Sequence, residues 1–219
     1  MWESVDLDLL QEATLETLHM VGISTLMTAV LGIPLGVLLV VTDRGYFWEN
    51  LVFQRILAFV VNIFRAVPFI ILVLFLFPVA KLLVGTTLGP TAATIPLIAG
   101  AAPFYARMVE TAIRDIDRGV IEAAQAMGAS RLTIICKVLI PEAFPSIVSG
   151  LTVTCVSLIS FSAMAGIVGA GGLGDTAYRF GFQAFNDAML YSCGILLVVL
   201  VQLVQAVGDW IARALDKRS

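Results

Sequence analysis

Charged residues are scarce in this chain of 219 residues. They make up 13% of the sequence, whereas hydrophobic residues make up 59%. Soluble proteins contain about 25% charged and about 45–50% apolar residues. A soluble globule of this composition would lack the polar groups needed to cover its surface. The composition therefore excludes an ordinary soluble domain and predicts an integral membrane protein.

Long stretches of the chain carry no Asp, Glu, Lys or Arg at all. These stretches lie between Glu16 and Asp43, Lys81 and Arg107, Glu142 and Asp175, and Asp187 and Asp209. Each holds the roughly 20 residues that cross a bilayer as a helix. A fifth candidate contains only Lys81, near one end, where its long side chain can reach the interface. The pattern predicts an all-α protein with five transmembrane helices, at about residues 20–41, 66–84, 91–106, 143–168 and 188–208.

Residues typical of catalysis or metal binding are also few. The chain has one histidine and three cysteines, and the cysteines lack metal-ligand spacing. It has no G-x-x-x-x-G-K-[ST] phosphate loop. The predicted spans hold Ser, Thr, Asn and Gln in place of the carboxylates that an intramembrane enzyme needs. We therefore expect no catalytic residue, no metal and no cofactor in this chain.

The same absence bears on transporters that work alone. A stand-alone ion-coupled transporter usually has intramembrane carboxylates and internal repeats. Neither is visible in this sequence. A stand-alone ion-coupled transporter is the alternative that would use a different transport mechanism.

One short string imitates a nucleotide site. GAGGLG, at residues 169–174, matches G-x-G-x-x-G, and Asp187 follows at a plausible distance. That fingerprint needs a strand before the glycines and a helix after them. The uncharged stretch before Gly169 is too long for one strand. We therefore interpret these glycines as a tight turn at the outer end of the fourth span.

The basic residues predict the orientation. If the N-terminus lies outside, all but two of the thirteen Lys and Arg residues fall in cytoplasmic segments, the exceptions being Lys81 and Arg179. This asymmetry is typical of membrane proteins. The C-terminus is then cytoplasmic, residues 107–142 form the longest cytoplasmic loop, and residues 1–219 form one domain. Arg65 is interpreted as a cytoplasmic anchor in preference to a gating residue.

The cytoplasmic loop begins with a short predicted helix. Asp117 can cap it, it continues to about Met127, and Gly128 can take the positive φ that ends a helix. Its small and apolar residues are Val120, Ala123, Ala124, Ala126 and Met127. Such a surface favours a helix that inserts into a groove of a partner protein. A helix lying on the inner membrane surface is the alternative.

A second helix is predicted in the same loop. Ser130 can cap it, and it runs from Arg131 to Leu139. Pro141 is expected to end or kink it, because proline lacks the N–H that a continuing helix uses. The two helices form a helix–turn–helix bracket.

The bracket resembles the EAA signature of the permeases of ABC importers: E-A-A, three residues, G, nine residues, I-x-L-P. The matching residues are Glu122, Ala123, Ala124, Gly128 and Pro141. Val138 and Ile140 depart mildly from the pattern. The resemblance implies a type I importer transmembrane domain, in which this loop is a coupling helix held in a cleft of a separate ATP-hydrolysing subunit. It assigns coupling to Gly119, Glu122, Ala123, Ala124, Met127, Gly128 and Pro141.

Longer stretches resemble the permeases of methionine importers. They are VNIFRAVPFIILVL, VGTTLG, GAAPFYARMVE, KVLIPEA, FSAMAGIVGAGGLG and GDWIARAL, in order over nearly the whole chain. The resemblance implies a permease subunit in the bacterial inner membrane that imports L-methionine. It also implies D-methionine as a further substrate. Another small amino acid or similar solute is the alternative.

The resemblance also implies partners and pore residues. The partners are a second copy of the chain, two subunits that bind ATP and magnesium, an extracytoplasmic substrate-binding lipoprotein, and lipid; no nucleic acid is expected. Met164 is placed at the gate, with filling of a gap between helices as the alternative. Asn62, Ser160 and Ser162 are further candidates for lining the pore.

Overall fold

A computed structural model of the protein describes residues 5–215, which are helical over most of their length. Within these residues the chain forms α1 (Leu7–Val41), α2 (Leu51–Ala66), α3 (Phe69–Val84), α4 (Pro90–Arg114), α5 (Arg118–Ala126), α6 (Arg131–Ile134), α7 (Ile140–Ile167), α8 (Gly172–Thr176) and α9 (Asp187–Leu215). Two π-helical segments, Ile135–Leu139 and Ala177–Gln183, follow α6 and α8. Lys217 and Arg218, two of the predicted cytoplasmic basic residues, lie outside the described residues.

Five candidate spans are present in this part of the chain. Helices α1, α4 and α9, and the continuous helix Arg131–Ile167, are each long and apolar enough to cross a membrane. The fifth candidate is the pair α2 and α3, which is bent by 108°. Pro68 explains the break, because a residue before proline avoids the helical region, and Val67 is extended with ψ of 125°. The all-α, multi-span prediction is confirmed.

The third span is longer than predicted. The expected short helix at 91–106 is wrong: α4 covers 25 residues and continues to Arg114. Its two internal prolines, Pro96 and Pro103, are both buried and do not interrupt it. The connection after it therefore begins at Asp115, later than the predicted residue 107.

Pro141 does not end the second helix of the loop. The helix capped by Ser130 continues through the π-helical segment into α7 as far as Ile167. The π-helical segment ends at Leu139, two residues before the proline. Its i→i+5 hydrogen bonds change the register at the point where proline would clash with an α-helical turn. The bracket is thus fused to the fourth span, which begins at Ile140 within that helix.

Helices α1 and α4 run parallel to each other and α7 runs antiparallel to both, which gives the bundle two ends. Asp43, just after α1, pairs with Arg114 at the end of α4, and we call this the basic end. At the opposite end, the N–H of Gly89 before α4 donates to the carbonyl of Gly169 after α7. Between the two ends, fully buried apolar side chains join α1, α4 and α7: Met20, Leu97 and Leu158.

Candidate functional site

The helix–turn–helix bracket at the basic end is held by local caps. The Asp117 carboxylate accepts a hydrogen bond from the N–H of Gly119 (2.7 Å), and α5 follows. Gly128 has φ of +78°, a conformation that glycine adopts without a steric penalty. The Ser130 hydroxyl then accepts from the N–H of Thr133 (3.2 Å). The predicted caps and turn of the bracket are confirmed.

Helix α5 presents two different faces. Ile121 and Ala124 are buried in the hydrophobic cluster that joins α1, α4 and α7 at the basic end. On the opposite side of the helix, Gly119, Glu122 and Ala123 are exposed. Of the residues predicted to touch a partner, Ala124 therefore faces the core of its own chain.

Two further predicted coupling residues are exposed on the bracket. The Met127 side chain is 82% exposed at the end of α5, which leaves a large apolar surface open. Gly128 follows it and is also exposed. Pro141 is exposed as well, but it lies at the start of α7, beyond the bracket.

The loop between α1 and α2 supports the buried side of α5. Tyr46, Phe47 and Trp48 pack against the same cluster as Ile121. A cavity of about 110 Å³ remains between this loop and Glu122 of α5. The bracket is thus seated on α1, α4 and the loop between α1 and α2.

Sequence reasoning missed the buried carboxylate of Glu110. It lies between two guanidinium groups of the same helix, with Arg107 Nη1 at 2.6 Å and Arg114 Nη2 at 2.9 Å. Glu110 is only 6% exposed to solvent. The spacing R-x-x-E-x-x-x-R could have indicated the pairs, because residues three and four apart are neighbours on a helix.

The same ion cluster connects α4 to α1 and α2. Arg114 Nη2 lies 2.6 Å from Asp43 Oδ2, and Arg107 donates to the side-chain oxygen of Asn62 (3.0 Å). Burial raises the pKa of Asp43, but hydrogen bonds from Arg114 and from the N–H of Arg44 outweigh it, so the pKa is below its usual value. The stabilisation from Asp43 is therefore present at neutral pH and lost as the pH falls through that lowered pKa. Asn62, a predicted pore residue, is engaged in this cluster.

An exposed, serine-rich stripe runs along α7. Its members recur every three or four residues: five are exposed and Ser157 is half-buried. The exposed members are Ser146, Ser149, Val153, Ser160 and Met164. This spacing places its members on one side of the helix. The predicted Ser160 and Met164 belong to it. Ser162 does not: it is buried, and its hydroxyl donates to the carbonyl of Ile159 (2.7 Å).

Helix α4 faces this stripe across two adjoining cavities. One has a volume of about 380 Å³ and reaches Ser157 of α7. The other, of about 440 Å³, lies toward the basic end and reaches Ser146. Arg65 and Phe104 line both. We call the stripe of α7 together with these two cavities the polar groove.

The glycine turn closes the other end of α7. Gly169, Gly171 and Gly172 all have positive φ, as a tight turn of glycines permits. The Glu16 carboxylate of α1 accepts from the N–H of Gly172 (2.6 Å). The turn after the fourth span is confirmed, and the segment before it is a helix, which excludes the dinucleotide motif.

The chain is similar to known transport proteins over nearly its full length. Residues 20–219 match the family described as binding-protein-dependent transport system inner membrane component. The chain is 49% identical over 217 residues to the probable D-methionine transport system permease protein MetI of Vibrio cholerae, covering 99% of this chain and 96% of that one. It is 49% identical over 215 residues to the methionine import system permease protein MetP of Bacillus subtilis, covering 98% and 97%.

A solved structure agrees with the fold. A chain of the inward-facing MetNI methionine ABC transporter superposes with a TM-score of 0.94 at 45% identity. The match covers 96% of this chain and 98% of that chain.

Proposed function

Because the chain belongs to the family of binding-protein-dependent transport system inner membrane components, we propose that it is the permease subunit of an ATP-driven methionine importer. The observation that carries the proposal is the joining, in one helix, of the cytoplasmic bracket to the serine-rich stripe of α7. The methionine assignment is supported by two relatives, each 49% identical, whose names specify methionine transport. Import of another small amino acid is the alternative.

The bracket is proposed to receive the motion of a separate ATPase subunit. Small side chains on the outward face of α5, such as Ala123, allow the backbone of a partner to approach closely. Ile121 on the buried face anchors the helix to the membrane bundle. ATP and magnesium belong to the partner, and this chain hydrolyses nothing. Nucleotide shifts the balance between inward- and outward-open states through unequal affinity for the two.

The polar groove is proposed to form one wall of the translocation path. A face with serines and the guanidinium of Arg65 is poorly suited to lipid, since polar groups at membrane depth face a bundle interior or an aqueous cavity. A second copy of the chain, with its groove facing the first, would complete the path. Two ATPase subunits at the basic end and a substrate-binding lipoprotein at the opposite end complete the proposed importer.

Cellular uptake tests this function directly. In a strain with no other methionine importer, deletion of this chain is expected to abolish the uptake of radiolabelled methionine, and re-expression to restore it. Uptake of an amino acid with an unrelated carrier serves as the control. Unchanged methionine uptake after deletion would contradict the proposal, whereas loss of a different small amino acid would favour the alternative substrate.

Met164 is proposed as the gate at the outer end of the path. It is 39% exposed, and it is the last member of the stripe before the glycine turn. Met164→Gly removes the side chain, so we expect an ATP-independent leak of methionine from preloaded proteoliposomes to increase about tenfold, as for the loss of roughly 1.4 kcal/mol of barrier. Ser162→Gly, a buried neighbour off the stripe, is the control. An unchanged leak in Met164→Gly would indicate that Met164 only fills a gap between helices.

A further inference from the structure

The cavity at the bend between α2 and α3 has the dimensions and chemistry of a ligand site. Its volume of about 380 Å³ falls within the roughly 300–1,000 Å³ typical of small-molecule pockets. Its walls include four phenylalanines, together with Arg65 and Ser157; the phenylalanines are Phe64, Phe69, Phe104 and Phe161. Apolar walls with a few convergent polar groups are what such sites usually offer.

This cavity lies halfway along the spans. Gly100 and Phe104 line it from α4, which begins at Pro90. At 1.5 Å per residue, they lie about 15 and 21 Å from that end of the helix. Ser157 lies about 15 Å from the end of α7 at Ile167 by the same measure. Since the hydrocarbon core is about 30 Å thick, a solute in the cavity would be near the middle of the membrane.

Arg65 is the distinctive group of the cavity. Within residues 5–215, the neighbouring cations Arg107 and Arg114 are paired with Glu110, whereas Arg65 takes part in none of the ion pairs of this region. Arg65 is exposed on the wall of the cavity, so its guanidinium is open to an anionic group of a solute. The earlier interpretation of Arg65 as a cytoplasmic anchor does not explain why it lines two cavities.

Ser157 offers a hydrogen-bond acceptor, which complements the cationic donor Arg65. Its hydroxyl donates to the carbonyl of Val153 at 2.9 Å. The proton is therefore used within the helix, while the oxygen lone pairs remain able to accept from an ammonium group. Next to it, Phe161 and Phe69 stack with their centroids 4.4 Å apart. Aromatic rings make favourable contacts with a thioether sulfur.

We propose that this cavity is a transient methionine site within the translocation path, with Arg65 receiving the carboxylate, Ser157 the ammonium group and the phenylalanines the thioether side chain. The proposal rests on the proposed function, because it takes methionine as the solute. The planar guanidinium can bind a carboxylate through two parallel hydrogen bonds, which a lysine cannot reproduce. The carboxylate is therefore the group whose removal is expected to weaken binding most.

Substrate protection of a cysteine in the cavity tests the site. The full transporter complex carries Ser157→Cys in a background with Cys136→Ser, which removes the exposed cysteine. The rate of alkylation of this chain is measured with and without millimolar methionine. We expect methionine, at about ten times its dissociation constant, to slow alkylation about tenfold because the occupied site shields the cysteine. Methioninamide, which lacks the carboxylate, should have little effect. The same background without Ser157→Cys gives the baseline.

Variants of Arg65 make the test specific. Adding Arg65→Gln should abolish protection by methionine, and Arg65→Lys should retain part of it. Arg55→Gln, an exposed arginine on the same helix, is the matched control and should leave protection unchanged. Ser160→Cys, one turn farther along the stripe, detects any general conformational change. If Ser157→Cys prevents assembly, Ala66→Cys reports from another wall of the same cavity.

The outcomes separate this site from the proposed function. Equal protection by the amide, or protection that persists in Arg65→Gln, would overturn the site. Absence of protection in a complex that transports methionine would also overturn it while leaving the function intact. A wild-type complex that does not transport methionine would refute the function itself.

Discussion

Replacing Ala123 with arginine is expected to lower methionine uptake by at least about 100-fold, which corresponds to about 2.7 kcal/mol. Ala123 is exposed on the side of α5 that faces away from the core. A long, charged side chain there would hold the proposed ATPase cleft away from the helix and place a charge in the interface. Uptake into proteoliposomes measures the loss, and co-purification of the ATPase measures the interface.

The fold of the Ala123→Arg variant should remain intact, because no buried contact is changed. Ala184→Arg is the control for co-purification of the ATPase, since Ala184 is also exposed but lies between Gln183 and α9, at the end opposite the bracket. Normal uptake by Ala123→Arg would show that this face of α5 carries no coupling. Loss of the folded chain would instead indicate a structural role for Ala123.

Removing the charge of Glu110 is expected to be the most destabilising change in the ion cluster. Glu110→Gln leaves the guanidinium groups of Arg107 and Arg114 without their shared carboxylate. Loss of one partner of a buried ion pair costs about 3–5 kcal/mol, and because both arginines are partly exposed we expect about 3 kcal/mol. Thermal or denaturant unfolding of the purified complex, followed by circular dichroism, measures the change.

Asp43→Asn is the matched control for Glu110→Gln. Asp43 pairs with Arg114 at the rim of the same cluster, where its side chain is 27% exposed. Pairs near the surface contribute about 0–1 kcal/mol, so the control should change stability much less. Equal effects of the two substitutions would contradict the idea that the buried carboxylate organises the cluster.

Features that depend on the bilayer or on local hydrogen bonds could be predicted from the sequence. The uncharged stretches predicted the spans because a bilayer excludes charge over a fixed length. Asp117, Gly128 and Ser130 predicted the bracket because caps and positive-φ turns involve residues only a few positions apart. Their partners are visible within a short window of sequence.

Features that depend on packing between distant segments could not be predicted in the same way. Asn62 was proposed for the pore, but its partner Arg107 is 45 residues away. The helix through Pro141 depends on a π-helical turn that no local signal indicates. By contrast, the residues that share one face of α7 can be predicted from the sequence, because helical periodicity alone groups Ser160 with Met164 and separates Ser162 from them.

The bend between α2 and α3 combines a feature that the sequence predicts with features that arise from packing. Pro68 indicated a break in helical structure, since the residue before proline avoids the helical region. The size of the bend, and the cavity that it forms with Phe104 and Ser157, arise from packing against α4 and α7. Arg65 therefore changed from a proposed anchor into the centre of the proposed methionine site.

Reconstitution tests the central claim most directly. Proteoliposomes that contain this chain with its ATPase, supplied with the external binding protein and with ATP on the ATPase side, are compared with proteoliposomes that contain this chain alone. We expect radiolabelled methionine to accumulate only in the complete system, and only with hydrolysable ATP. Methionine transport by the chain alone, without ATP, would contradict the account and favour a stand-alone transporter.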